Sequence, residues 1–144
     1  EYLGDNIDVI TNVLSFPNLE YMGREISNGQ DTGTTYRQNI TQILTPKLKC
    51  IKDQAHISLP LTSWDLPDIE YIGDSIFTSL QTAPIQTINI GSKVKTIKST
   101  AFDRVDGATI NIDLPAPDAG DTSWKADAPW GATNTTVNWT GIVQ

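Results

Sequence analysis

The sequence predicts a strand-rich solenoid, built from short turns of chain stacked on one another, and three observations carry that prediction. A motif recurs along the chain, several stretches alternate apolar and polar residues, and prolines stand at matching places ahead of the motif. One such turn cannot bury its own apolar side, so each has to roof the next.

The motif is clearest in Ile69-Glu70-Tyr71-Ile72-Gly73-Asp74-Ser75-Ile76-Phe77. Near copies are Glu1-Tyr2-Leu3-Gly4-Asp5-Asn6-Ile7 and Leu19-Glu20-Tyr21-Met22-Gly23-Arg24-Glu25-Ile26. Looser ones run from Leu48 to His56 and from Val94 to Phe102. Their intervals are irregular, roughly twenty to thirty residues, the range of solenoid repeats. The apolar spacing inside a copy would suit a helix face. Gly23 and Gly73 interrupt it, however, and glycine costs about 1 kcal/mol in a helix interior. A short strand followed by one turn of helix or 3₁₀ fits better. Pro17, Pro46 and Pro67 each precede a copy by two residues and mark its entry corner.

Candidate strands lie ahead of these corners. Ile85-Gln86-Thr87-Ile88-Asn89-Ile90 and Ala108-Thr109-Ile110-Asn111-Ile112-Asp113-Leu114 alternate with the period of a strand buried on one face. Ile10 to Leu14 and Ile40 to Leu44 are weaker versions. Ile57 to Leu61 also alternates, although Pro60 moves it towards an edge. Two insertions break the rhythm: Ser27 to Gln38, polar and rich in turn signals, and Leu61 to Leu66, which sets Trp64 in a loop-like context. After Leu114 the repeats stop. Residues 1–114 therefore read as about five irregular turns, and residues 115–144 as a C-terminal cap holding Trp124, Trp130 and Trp139, three of the four tryptophans.

Composition narrows the function. With 38% apolar and 19% charged residues the chain is built to fold. A net charge of −7 without a basic cluster argues against nucleic acid, whose phosphates demand Lys and Arg. It argues equally against an anionic membrane surface, and no apolar run approaches the ~20 residues that cross a bilayer. Cys50 is the only cysteine, so no disulfide forms within the chain. Beginning inside a copy, the sequence reads as a piece of a longer protein.

Catalytic and metal constellations are not evident. His56, the sole histidine, falls where Phe77 and Phe102 stand in sister copies, the place of a substituted core-edge residue. With Cys50 it would make half a zinc site, whereas structural zinc takes four ligands. Asp113, Asp118 and Asp121 share a loop of the kind calcium favours, but their spacing matches no calcium loop and acidic loops are ordinarily just solvated. Asp65, Asp68, Glu70 and Asp74 form a second acidic group, with Lys49 and Lys95 placed to balance the glutamates. No cofactor, metal or enzymatic activity is expected.

The outward strand positions Thr87, Asn89, Thr109, Asn111 and Asp113 line up from turn to turn, which makes them the candidate binding residues. Solvent-facing strand positions have to be polar in any case. Tyr2, Tyr21 and Tyr71 recur at one offset, suited either to an exposed aromatic row or to packing between turns.

Ile85 to Phe102 resembles the BspA-type leucine-rich repeat, L-x-x-I-x-I-P-x-x-V-x-x-I-G-x-x-A-F, at every apolar position; Gly91 replaces the proline and Lys98 the glycine. Ile69 to Phe77 matches moderately, and Ala128 to Val137 looks like a segment that often closes such repeats. The resemblance implies a leucine-rich-repeat-like solenoid of the α/β horseshoe type, with short parallel strands on one face and irregular or short helical turns on the other. It implies a bacterial cell-surface or secreted protein that adheres to a host or surface protein or to a glycan. Alternatives are a structural spacer within a larger surface or phage-borne protein and, with least support, a glycan-active enzyme. Self-association through an exposed terminal strand is a further expectation.

Overall fold

The computed structural model describes residues 12–23, 40–57, 59–77 and 85–142. The first copy, Glu1 to Ile7, and the insertion Ser27 to Gln38 lie outside the described residues. Among the described residues ten strands follow one another: β1 (Val13–Ser15), β2 (Tyr21–Met22), β3 (Gln42–Leu44), β4 (Cys50–Ile51), β5 (Ser63–Leu66), β6 (Tyr71–Ile72), β7 (Thr87–Ile90), β8 (Thr96–Ile97), β9 (Thr109–Ile112) and β10 (Thr136–Trp139).

All pairings between these strands are parallel, and they build two sheets. The long sheet has the order β1-β3-β5-β7-β9-β10, and the short sheet β2-β4-β6-β8. The chain visits each sheet once per coil, which makes a β-solenoid of about four turns. Opposite the long ladder, where irregular or short helical turns are expected, stands a second ladder. Among the described residues the only helical segment is a 3₁₀ turn, Trp124–Asp127. Coil spacing explains the difference. Rungs stack about 4.8 Å apart, whereas a helical turn is about 10 Å across. Gly73 lies so close to the backbone of Asp53 that a Cβ there would overlap it.

The interior is a set of columns, one residue per coil. Trp64, Ile88 and Ile110 stack beneath the long sheet, with Leu66, Ile90 and Ile112 beside them. Met22, Ile51, Ile72 and Ile97 stack beneath the short sheet. Leu48, Ile69 and Val94 fill the entry corner; Ala55, Ile76 and Ala101 the exit. The motif's apolar offsets are therefore inter-coil columns and not a helix face.

Three expectations change. Ile57 to Leu61 supplies no strand among its described residues, since Pro60 has no N–H to give a ladder. The strand is Ser63–Leu66, inside the supposed insertion, and Trp64 is buried in it. His56 does not occupy the place of Phe77: Ile57 bridges Phe77 instead. The turn from Asp53 carries one residue more than its sister, absorbed where Gln54 and His56 adopt φ of 57° and 49°.

The two ladders end differently. Lys49, Glu70 and Lys95 enter the short sheet by donating their N–H to the coil before, to Glu20, Lys49 and Glu70 carbonyls. After β9 the next coil carries Pro115 and Pro117. Proline has no N–H, and the short sheet stops at β8. The long sheet instead gains β10 from the tryptophan-rich segment. Trp130 is fully buried, donates its indole N–H to the Trp124 carbonyl at 2.7 Å, and meets Phe102, Trp124 and Trp139 at ring separations of 5.9–6.1 Å. This cluster covers the last coil.

Candidate binding face

The outer face of the long sheet carries two rows of polar side chains. One runs Ser63, Thr87, Thr109, Thr136, and the other Asp65, Asn89, Asn111, Asn138, each in direct register from β5 to β10. The local cause is a pattern used in four successive strands: small hydroxyl, apolar, Asx, apolar. Period-two alternation sends the apolar pair inward and the polar pair outward.

The Asx row is a continuous hydrogen-bond ladder. Asn138 Nδ2 donates to Asn111 Oδ1 at 3.0 Å, Asn111 Nδ2 to Asn89 Oδ1 at 2.8 Å, and Asn89 Nδ2 to Asp65 Oδ1 at 2.7 Å. The bonds shorten towards the carboxylate, as expected when an ionised acceptor polarises a chain of amides. Asn89 and Asn111 each spend one of their two N–H groups and one Oδ1 lone pair on the ladder, whereas Asn138 spends one N–H alone. Per rung the face keeps one amide N–H, one amide lone pair and a hydroxyl, repeated about every 4.8 Å. Such a surface can hydrogen-bond a partner at regular intervals.

Of the sequence-predicted residues, Thr87, Asn89, Thr109 and Asn111 come together in the centre of this face. Asp113 continues the outward alternation but lies one residue past the end of β9, so the structure does not bring it into the rows. Sequence reasoning missed Ser63, Asp65, Thr136 and Asn138, which lengthen the face at both ends. The signal was present: Ser63-Trp64-Asp65-Leu66 and Thr136-Val137-Asn138-Trp139 repeat the Thr-Ile-Asn-Ile pattern of β7 and β9.

The flank is charged in alternation. Asn18 and Glu20, then Lys47 and Lys49, Asp68 and Glu70, and finally Lys93 and Lys95 occupy matching corners of successive coils. Lys47 Nζ donates to Asn18 Oδ1 and Lys49 Nζ to Glu20 Oε2, both at 3.0 Å; Lys93 Nζ meets Asp68 Oδ1 at 2.7 Å, and Lys95 binds Glu70. The ammonium of Lys95 holds the Glu70 carboxyl below its usual range, and Glu20 holds Lys49 above its own. The second acidic group is thereby dispersed: Asp65 ends the amide ladder, Asp68 and Glu70 pair with lysines, and Asp74 accepts from Thr100 Oγ1 at 2.8 Å.

On the outer face of the short sheet, Tyr21, Cys50 and Tyr71 stand in register. Tyr21 is 63% exposed, whereas Tyr71 donates its hydroxyl to Asp53 Oδ1 at 3.0 Å. Burial and then the Asp53 carboxylate push the Tyr71 phenol up to about 12, and burial pushes the Cys50 thiol up. The aromatic row is thus split by Cys50, and Tyr2 lies outside the described residues. The Ser123 hydroxyl, and then the Ser123 N–H that donates to Asp121 Oδ1 at 2.7 Å, hold the Asp121 carboxyl low. Among the described residues no three His, Cys, Asp or Glu side chains are grouped to hold a metal, and no helix is long and apolar enough to cross a membrane. Comparison with protein-family models, with curated proteins and with solved structures finds no match to this chain.

Proposed function

We propose that this chain is a binding module that recognises a protein or a glycan outside a bacterial cell, through the outer face of its long sheet. The observation that carries the reading is the pair of registered polar rows, Ser63 to Thr136 and Asp65 to Asn138. Rigid rungs hold their unspent donors and acceptors at fixed spacing, so a partner meets them without first ordering them. Kinship with BspA-type leucine-rich-repeat proteins, and with it adhesion at the cell surface, is part of this proposal. Its support is the apolar match of Ile85 to Phe102 together with the coil-per-repeat architecture.

The spacer reading has an observation of its own. The exposed large hydrophobic residues among those described are Val13, Tyr21, Leu44 and Ile142, spread over β1, β2, β3 and the tail beyond β10 and outside the polar rows. A screen of the folded chain against glycan and host-protein arrays separates the two. Thr87→Arg and Thr109→Arg serve as controls, because they crowd the face and leave the amide ladder intact. Binding lost in both controls supports the module. Binding retained in both removes this face from the proposal, and no binding by the folded chain favours the spacer.

A further inference from the structure

β10 is the last rung of the long sheet, and among the described residues no strand lies beyond it. Its pairing with β9 engages the main chain of alternate residues: the Thr136 N–H donates to the Ala108 carbonyl at 3.0 Å, and the Thr140 N–H to the Ile112 carbonyl at 2.8 Å. In a parallel pair the residues between these face the other way. Val137 and Trp139 therefore turn their N–H and C=O groups to the open side.

Open edges of this kind are ordinarily blunted by lysine, proline, a bulge or a covering loop. From Thr133 to Ile142 there is neither a charge nor a proline. The short sheet shows the contrast: Pro115 and Pro117 stand in the coil after β9, and the 3₁₀ turn Trp124–Asp127 packs against β8. The amide ladder also ends unfinished at Asn138, which keeps its Oδ1 and its second N–H.

We propose that β10 pairs with β10 of a second copy of this chain, antiparallel about a two-fold axis, so that one sheet runs through a dimer. The geometry selects the register. In an antiparallel pair the residues that exchange hydrogen bonds stand directly opposite, and the open groups belong to Val137 and Trp139. Val137 of one copy then faces Trp139 of the other, and the reverse, for about four inter-chain hydrogen bonds. The axis passes beside Asn138, which meets its own counterpart as a close pair, about 4.5 Å between Cα atoms. Both Asn138 side chains lie on the outer face, where their unspent groups complete each other. A second copy is the occupant because the edge is uncharged and self-complementary, and because a two-fold contact closes after one addition.

The test is the mass of the full chain in solution over about a hundredfold range of concentration, read by light scattering or sedimentation. Wild type is expected to pass from monomer to dimer. Asn138→Lys and Asn138→Asp each set like charges against themselves across the axis and are expected to stay monomeric, whereas an equimolar mixture of the two regains the dimer. In parallel, hydrogen exchange of the Val137 and Trp139 amides is expected to slow in wild type as concentration rises, which reads the contact without any substitution. A wild type that stays monomeric, a variant that dimerises like wild type, a mixture that stays monomeric, species that grow beyond two, or exchange at Val137 and Trp139 indifferent to concentration would each overturn the proposal.

Discussion

Trp64 donates its indole N–H to the hydroxyl of Thr45 at 3.0 Å, one coil away, with both side chains buried. Thr45 is the one buried polar residue among those described, so the bond gives the indole donor a partner where water has no access. Leaving a buried donor unmet costs about 1–3 kcal/mol, whereas replacing both partners by apolar groups can be nearly neutral. Thr45→Val is therefore expected to lower stability by about 1–3 kcal/mol. Adding Trp64→Phe should cost less than the sum of the two single changes. Urea unfolding of the four proteins in the cycle gives the coupling directly.

The same residue shows what was legible in the sequence and what was not. The registers of β7 and β9 were plain, because Thr-Ile-Asn-Ile repeats unbroken and its alternation fixes the buried face. Trp64 was hidden because Ile57 to Leu61 alternates just as well over a similar length, and only Pro60 speaks against it. The loss lies in long-range pairing, since Trp64 is held by a hydroxyl from the previous coil and its neighbours in sequence give no sign of that. The second ladder was half visible. Its two-residue strands were readable from the recurring copies, but the close approach of Gly73 to Asp53, which leaves no room for a helical turn, is a relation between coils. The charged flank could be anticipated from Glu20, Lys49, Glu70 and Lys95 sharing one offset. Why it alternates is clear only from the stack: a slip of one coil would set like charge against like.

Gly73 and Gly23 occupy the same offset in two copies, yet they should answer alanine in opposite ways. A Cβ on Gly73 would overlap the backbone of Asp53, so the coils must part or the turn must shift. Gly73→Ala is expected to cost about 1–3 kcal/mol, the range for overpacking. Among the described residues nothing lies within 4 Å of the would-be Cβ of Gly23. Gly23→Ala should be neutral or stabilise by up to about 1 kcal/mol through the unfolded chain. Thermal midpoints of the two variants check the contrast; equal losses would mean that the coils do not touch at Gly73.

Acid should loosen the flank. Glu70 is held low first by the hydrogen bond from Lys95 and then by its charge, and Asp106 is held low by Thr133 and Asn134. A carboxyl depressed in the folded state gives stability that is present above its unfolded value and is lost as pH falls through the folded one. Stability should thus decline below the ordinary carboxylate range, about pH 4 and downward. Glu70→Gln should flatten that decline while leaving the fold intact. Thermal melts of both proteins across the acid range read the difference, and parallel curves would show that Glu70 has no part in it.

The amide ladder predicts a gradient of cost along its length. Asn111 both donates to Asn89 and accepts from Asn138, whereas among the described residues Asn138 only donates. Asn111→Ala should therefore lose about two net hydrogen bonds, roughly 1–2 kcal/mol, and Asn138→Ala about one, roughly 0.5–1 kcal/mol. Asp65→Asn keeps an acceptor for Asn89 but removes the charge that shortens that bond, so its loss should be smaller than that of Asn111→Ala. Urea denaturation at constant slope orders the three. The order also bears on binding. If Asn111→Ala costs no more than Asn138→Ala, the central amides are as well satisfied by water as by each other. They would then be free to turn towards a partner, and the rows would be an adaptable surface. If the gradient holds, the amides are fixed in one orientation, and a partner has to match the donors and acceptors that the ladder leaves outward.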